Sequence, residues 1–299
     1  MNSTAPLDAV FELDNTTQAT GLLDLRLAAL EQDLRLCGSV MVAFSGGVDS
    51  AFLLAAAVRA LGPENVAAAT AYSGSLPLTE RTPARQFAGD LGVRVFTPHT
   101  SEMEREGYRA NAGDRCYFCK AELLDVLGPL ADRHGFGHVA TGTNADDAVA
   151  GFRPGIRAAA ERGAITPLRD AGLTKQQIRD ASRMWELPTW DKPAAACLSS
   201  RVLYGVEVTP FRLARIERAE AAVRSALEGA GIGVRNLRVR DLGERASIEL
   251  DADLVGAASQ VPDVVAAALA VGFGHAEIDP SGFRSGSMNE RLAEPARYR

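Results

Sequence analysis

Leucines recur at helical spacing at Leu23, Leu27, Leu30 and Leu34, and this predicts an amphipathic helix over residues 21–36. Residues 40–44 are an unbroken apolar run, Val-Met-Val-Ala-Phe, which reads as a buried strand. Glycines and serines fill 45–50, and an Ala- and Leu-rich helix runs on to 61. The alternation continues with strands at 65–71, 93–97 and 138–142 and helices at 79–91 and 117–134. Strands separated by helices of this length predict an α/β fold with a parallel sheet covered on both faces. Ligands of such sheets sit at the carboxyl ends of the strands, where the Gly-rich turn lies.

The pattern weakens after residue 143. Gly and Pro punctuate 143–204, and only 174–186 reads as a helix, followed by a loop over 187–201. A second region begins near Glu207. A long helix over 209–230 places Phe211, Leu213, Ile216, Ala219, Val223 and Leu227 on its apolar side. Strands at 234–239 and 246–250, a helix at 261–271 and a strand at 276–278 complete a smaller α+β domain. The chain divides into a flexible tail (1–20), the parallel-sheet domain (21–204), a domain for substrate binding or oligomerisation (205–282) and a mobile tail (283–299).

Composition narrows the function classes. The chain has 299 residues and 46% hydrophobic content, enough for substantial cores and unlike a disordered chain. Lys plus Arg total 32 against 38 for Asp plus Glu, a formal charge of −6, which argues against a nucleic-acid partner. No apolar run reaches the roughly 18 residues of a membrane span, and residues 1–20 lack the regions of a secretory signal. Four cysteines without an export signal predict a cytoplasmic protein whose closely spaced cysteines serve metal binding or catalysis.

The sharpest motif is Ser45-Gly46-Gly47-Val48-Asp49-Ser50, between a buried strand and a helix. Two glycines let the backbone bend close to a phosphate, and free N–H groups at a helix start favour an anion. Ser45 and Ser50 add hydroxyls, and Asp49 suits orienting the loop or holding Mg²⁺. No Lys occupies the Walker position. The hexapeptide resembles the loop of the PP-loop ATP pyrophosphatases (adenine nucleotide alpha hydrolase-like fold). That resemblance implies cleavage of ATP between the α and β phosphates, with adenylation of a carboxylate or carbonyl oxygen.

Three more segments narrow the resemblance: Asp114-Arg115-Cys116-Tyr117-Phe118-Cys119-Lys120, Thr141-Gly142-Thr143-Asn144-Ala145-Asp146-Asp147, and residues 192–201 around Cys197. With the loop, they resemble the LarE family of ATP-dependent sulfur transferases, over nearly the whole chain. The family adenylates the carboxylates of a pyridinium-3,5-dicarboxylate mononucleotide and converts them to thiocarboxylates for a nickel-pincer cofactor. By this resemblance Cys197 is the sulfur-delivery position. Members with only that cysteine sacrifice its sulfur. Members with two more hold a [4Fe-4S] cluster, so Cys116, Cys119 and Cys197 imply the cluster type. Ring-like assemblies occur in the family, so the resemblance also implies a homo-oligomer.

From the residues alone, three readings of the cysteines stand: a cluster with Cys197, a zinc site completed by His99 or His134, and an inert pair beside a lone Cys197 nucleophile. Cys37 reads as a small buried hydrophobe without a role. Ser73, Gly142, Asn144, Asp146 and Arg153 are assigned with the loop to the ATP and Mg²⁺ site, although Asn144, Asp146 and Asp147 suit a helix-capping turn as well. Alternation in a strand puts Arg238 and Arg240 on one face, suited to a phosphate or carboxylate, and the family's Arg pair implies that they grip the substrate phosphate. Glu220 joins them as a candidate substrate ligand. Competing functions are a tRNA thiolase of the same superfamily and a nucleotide-binding regulator without turnover.

Overall fold

The computed structural model describes residues 7–149, 153–193 and 196–292. Four parallel strands form the first sheet: β1 (Val40–Ala43), β2 (Val66–Ala69), β3 (Arg94–Phe96) and β4 (His138–Thr141), in the order β3-β2-β1-β4. Val40 pairs with Val66 on one side and His138 on the other. The inner strands β1 and β2 are buried almost throughout, which is why their sequences do not alternate. The edge strands start on exposed polar residues, Arg94 and His138.

The longer helices of this half are α1 (Leu7–Cys37), α2 (Val48–Leu61), α3 (Leu78–Asp90), α4 (Arg115–Arg133), α5 (Pro154–Glu161) and α6 (Lys175–Met184). Leu30 and Leu34 of α1, Phe52 and Leu54 of α2 and Ile178 of α6 share a core with Val40 and Val42. On the other face Leu127 and Ala131 of α4 pack on Met41, Ala67 and Ala69. The sheet is therefore covered on both sides, as the pattern predicts. Thr174 caps α6 reciprocally with Gln177.

The first helix departs from the predicted start at Gly21. Its backbone is helical from Leu7, because no Gly or Pro interrupts residues 7–20. Helix α5 is absent from the sequence reading because Pro154-Gly155 looks like a break. Proline at the first helical position is instead favourable, since its missing N–H would have no partner there.

The second half contains α7 (Pro210–Gly229), β5 (Leu237–Asp241), β6 (Arg245–Leu250), α8 (Pro262–Ala270) and β7 (His275–Ile278). β5 and β6 are antiparallel, and β7 joins β6 in parallel. Thr209 caps α7, accepting from the Arg212 N–H at 3.2 Å. Five of the six predicted apolar positions of α7 are buried. The sixth, Phe211, is exposed and stacks against the Arg215 guanidinium instead.

The two halves are sewn together. Tyr108, Leu198 and Val202 from the first half sit in the core of the second. Leu203 donates to the Asp241 carbonyl at 2.9 Å, and the Asn111 side chain donates to the Leu203 and Val206 carbonyls at 2.8 Å each. Of the predicted mobile tail, residues 283–292 are docked, and 293–299 lie outside the described residues. Phe283 donates to the Leu250 carbonyl at 2.7 Å, and Met288 and Leu292 are buried. Polar composition concealed this because the tail is fixed by a few hydrogen bonds rather than by a periodic apolar face. Among the described residues no single helix is long and apolar enough to cross a membrane.

Candidate active site

The sheet presents the 45–50 loop at the carboxyl end of β1. Gly46 has φ of 72°, and a Cβ there would stand 2.9 Å from the Ala84 Cβ of α3, so both backbone and space demand glycine. Ser45 and Ser50 hydroxyls lie 3.1 Å apart, and Ser50 donates to the Gly47 carbonyl at 3.1 Å. Gly47 is the N-cap of α2 and offers no side-chain cap, which leaves the first amides of the helix available to an anion. Gly142 acts by closeness. A Cβ there would fall 2.9 Å from the Ser50 nitrogen, so its absence lets the end of β4 seat against the start of α2.

A cavity of about 390 Å³ opens above the loop, within the range of small-molecule sites. Ser45, Gly47, Asp49, Ser50, Ser73, Gly142 and Asp147 line it, and so do Cys119 and Cys197. The structure thus brings the phosphate loop and two of the three implicated thiols to one space.

Several assigned residues do other work. Both Asp49 oxygens lie 2.7 Å from the Lys175 Nζ, so this carboxylate holds a lysine. Asn144 and Asp147 cap each other's amides at 3.1 and 3.3 Å. Asp146 accepts from the Lys175 N–H at 2.7 Å at the start of α6. Asn144, Asp146 and Asp147 all make capping contacts, and Asp147 also faces the cavity. Arg153 is half exposed and pairs with Asp147 at 3.1 Å. Two lysines to which the sequence analysis gives no role lie beside the loop. Lys175 is one; the other is Lys192, whose Nζ donates to the Gly46 carbonyl at 2.9 Å and pairs with Glu80 at 2.6 Å.

Cys197 opens a single helical turn, Leu198–Arg201. The Leu198 N–H donates to the Ser75 carbonyl at 2.8 Å, tying this turn to the loop after β2. The Cys197 Sγ lies 3.1 Å from the Ser199 hydroxyl. Burial pushes the Cys197 thiol up, but the Arg115 guanidinium, the Ser199 hydrogen bond and Arg201 outweigh it, so the thiol sits below its ordinary range. Arg115 is itself buried and donates to the Ser199 carbonyl at 2.8 Å. Burial pushes the Cys119 thiol well up, and Cys197, Glu102 and Cys116 add to the rise.

Cys116 and Cys119 lie one turn apart at the start of α4; Cys116 is exposed and outside the cavity lining. Among the described residues no three His, Cys, Asp or Glu side chains converge as a ready-made metal site, and this holds for a zinc set and for the three thiols alike. His134 caps the opposite end of α4, about 27 Å of helix from Cys116. It packs on Phe96.

No protein-family model matches the chain. A pyridinium-3,5-bisthiocarboxylic acid mononucleotide synthase of Lactiplantibacillus plantarum is 32% identical over 273 residues, covering 91% of this chain and 96% of that protein. The chain belongs to the LarE family. An uncharacterized protein of Synechocystis sp. is 38% identical over 276 residues, 91% of this chain and all of that relative. One from Methanocaldococcus jannaschii is 26% identical over 215 residues, 72% of this chain and 79% of its own length.

In this LarE-family chain, Arg238 and Arg240 share one face of β5 while Val239 enters the core, as strand alternation predicts. Neither lines the cavity. Arg240 is buried, pairs with Glu249 at 2.6 Å and donates to Ser287 at 3.2 Å. Arg238 lies over the Phe283 ring, and burial, with Arg201 and Arg240 nearby, brings its pKa down to about 10. Glu220 is a structural clamp: it pairs with Arg201 at 3.0 Å and accepts from the Val239 N–H at 3.1 Å. Arg201, absent from the predicted site residues, donates to the Cys197 carbonyl at 2.8 Å. The turn that carries Cys197 is therefore the seam between the cavity and the arginine face.

Proposed function

We propose that this LarE-family protein is an ATP-dependent sulfur insertase that adenylates the carboxylates of pyridinium-3,5-dicarboxylate mononucleotide and converts them to thiocarboxylates. The observation that carries this reading is the shared cavity of the phosphate loop, Cys119 and Cys197. In the first step a substrate carboxylate oxygen forms a bond to the α-phosphorus of ATP. The bond from that phosphorus to the oxygen bridging to the β-phosphate breaks, and pyrophosphate leaves. The α2 amides, Ser45 and Ser50 orient the phosphates, with Lys175 and Lys192 beside them as cations. Mg²⁺ would enter with the nucleotide, held chiefly by phosphate and water, with Asp49 and Asp147 in the cavity lining as the nearest candidate carboxylates. Adenylation turns a poor electrophile into a good one with AMP as leaving group. A sulfur nucleophile then attacks the acyl carbon, and AMP departs with the electron pair of the broken C–O bond.

The donor chemistry of the three thiols fits a [4Fe-4S] cluster: Cys119 and Cys197 line one cavity, and Cys116 lies one turn from Cys119. When bound, the cluster would supply an iron-held sulfide that can be replenished. Arg115 and Lys120 would balance the thiolate charge around it. A second reading, sacrifice of the Cys197 sulfur, is favoured by one observation. Cys197 is the thiol held below its ordinary range, whereas Cys119 is pushed above it.

Anaerobic purification with iron, sulfide and visible-absorption analysis, joined to a pyrophosphate and thiocarboxylate assay, tests the proposal. The expected result is iron and sulfide bound, with pyrophosphate and thiocarboxylate both formed. A colourless, iron-free protein that makes thiocarboxylate while Cys197 becomes dehydroalanine supports the second reading. No pyrophosphate overturns both.

A further inference from the structure

Four carboxylates line the cavity: Asp49, Glu80, Glu102 and Asp147. Three have a cation: Asp49 has Lys175, Glu80 has Lys192 and Asp147 has Arg153. Their side chains are 21–27% exposed. Glu102 is different. It is only 3% exposed, and no Lys, Arg or His among the described residues pairs with it. Its Oε1 accepts from the Ser75 hydroxyl at 2.9 Å and its Oε2 from the Thr100 hydroxyl at 2.7 Å. The deepest acid of the cavity is thus held by two hydroxyls and by no ion pair among the described residues.

Lys120 also lines the cavity but makes no ion pair with Glu102. A buried carboxylate without such a partner is costly when charged, and a phosphate-binding cavity gains from one when its ligand brings positive charge. A divalent ion is best held by several carboxylates, and no second acidic side chain joins Glu102 in a metal-holding group among the described residues. A delocalised organic cation needs none. The substrate proposed above has such a cation in its pyridinium ring, whose charge is fixed and which has no N–H to donate. We infer that Glu102 is the countercharge for that ring, fixed by Ser75 and Thr100, and that it selects pyridinium carboxylates over neutral aromatic acids. This inference rests on the proposed function. Ser75 also accepts the Leu198 N–H at 2.8 Å, so the same residue anchors both Glu102 and the turn bearing Cys197.

The test compares two probes by calorimetry on the full chain: nicotinic acid mononucleotide, and its neutral isostere with a benzoate ring joined to ribose through carbon. The wild type is expected to bind the pyridinium probe at least about tenfold more tightly. Glu102→Gln is expected to bring the two affinities within about threefold, with the neutral probe unchanged. Glu102→Asp retains the charge and is expected to keep most of the preference. Should the Gln variant not fold, Thr100→Ala, which removes one of the two hydrogen bonds that fix Glu102, is expected to reduce the preference, and an intact preference there overturns the inference. Equal binding of both probes by the wild type, or an intact preference in Glu102→Gln, overturns the inference and leaves the proposed reaction standing. Equal weakening of both probes by Glu102→Gln shows a structural role and also overturns it. A preference that disappears when Mg²⁺ is removed assigns Glu102 to a metal and overturns it. Failure of the pyridinium probe to bind the wild type overturns the inference together with the proposed function.

Discussion

The phosphate loop and the Cys197 turn face one cavity but are built in opposite ways. The loop depends on missing atoms. Gly46 needs a left-handed backbone, and Gly142 lets β4 approach α2. The Cys197 turn depends on side chains from far away in sequence. Arg115 of α4 holds the Ser199 carbonyl, Arg201 holds the Cys197 carbonyl, and Glu220 of α7 holds Arg201. A backbone-built site leaves a local signature, a pair of glycines between a strand and a helix. A side-chain-built site is specified only when the whole chain has folded.

The comparison is broken most sharply at Cys197. Cys197→Ser is expected to lower thiocarboxylate formation by about a thousandfold or more, while pyrophosphate release persists. Parallel assays of the two products check this, and loss of both together would mean that the two stations are not separable. Next in size is the buried pair behind the arginine face. Glu249→Gln leaves Arg240 without its charge partner, and a loss of about 3–5 kcal/mol is expected in denaturant unfolding. Gly142→Ala sharpens the backbone side of the comparison. Its new Cβ meets the Ser50 nitrogen, so about 1–3 kcal/mol of stability should be lost, and pyrophosphate release should fall with it.

A smaller effect concerns pH. Arg115 favours the Cys197 thiolate, so Arg115→Gln raises the thiol pKa. The midpoint of Cys197 alkylation against pH is expected to move upward, with less reaction at neutral pH. By linkage, a depressed thiol pKa gives stability that is present above the ordinary thiol pKa and fades as pH falls through the lowered value. The variant should lose part of that pH dependence.

Much of this architecture is legible from pattern alone. The four strands of the first sheet, the three of the second and the loop at the end of β1 lie close to their predicted positions. Local signals suffice there: apolar runs, periodic helices, paired glycines. Arg238 and Arg240 fall on one face because a strand has period two. What was not legible is long-range. Lys175 meets Asp49 and Lys192 meets Gly46 across more than a hundred residues, and neither lysine has a local signature. Glu102 has none either, since its meaning comes from the cations it lacks. Glu220 reads as an exposed glutamate on a helix, and only the placement of Arg201 and β5 makes it a clamp. Asn144 and Asp146 were ambiguous for a physical reason: the residue types that bind magnesium or ribose are also those that cap helices.

The central claim is that nucleotide and thiols occupy one cavity. Thiol alkylation with and without ATP, read site by site by mass spectrometry, tests it directly. Cys37 serves as the internal control, because it ends α1 just before β1, at the other end of the strand from the loop. The account predicts that ATP slows alkylation of Cys119 and Cys197 and leaves Cys37 unchanged. ATP binding with unchanged rates at Cys119 and Cys197 would contradict it.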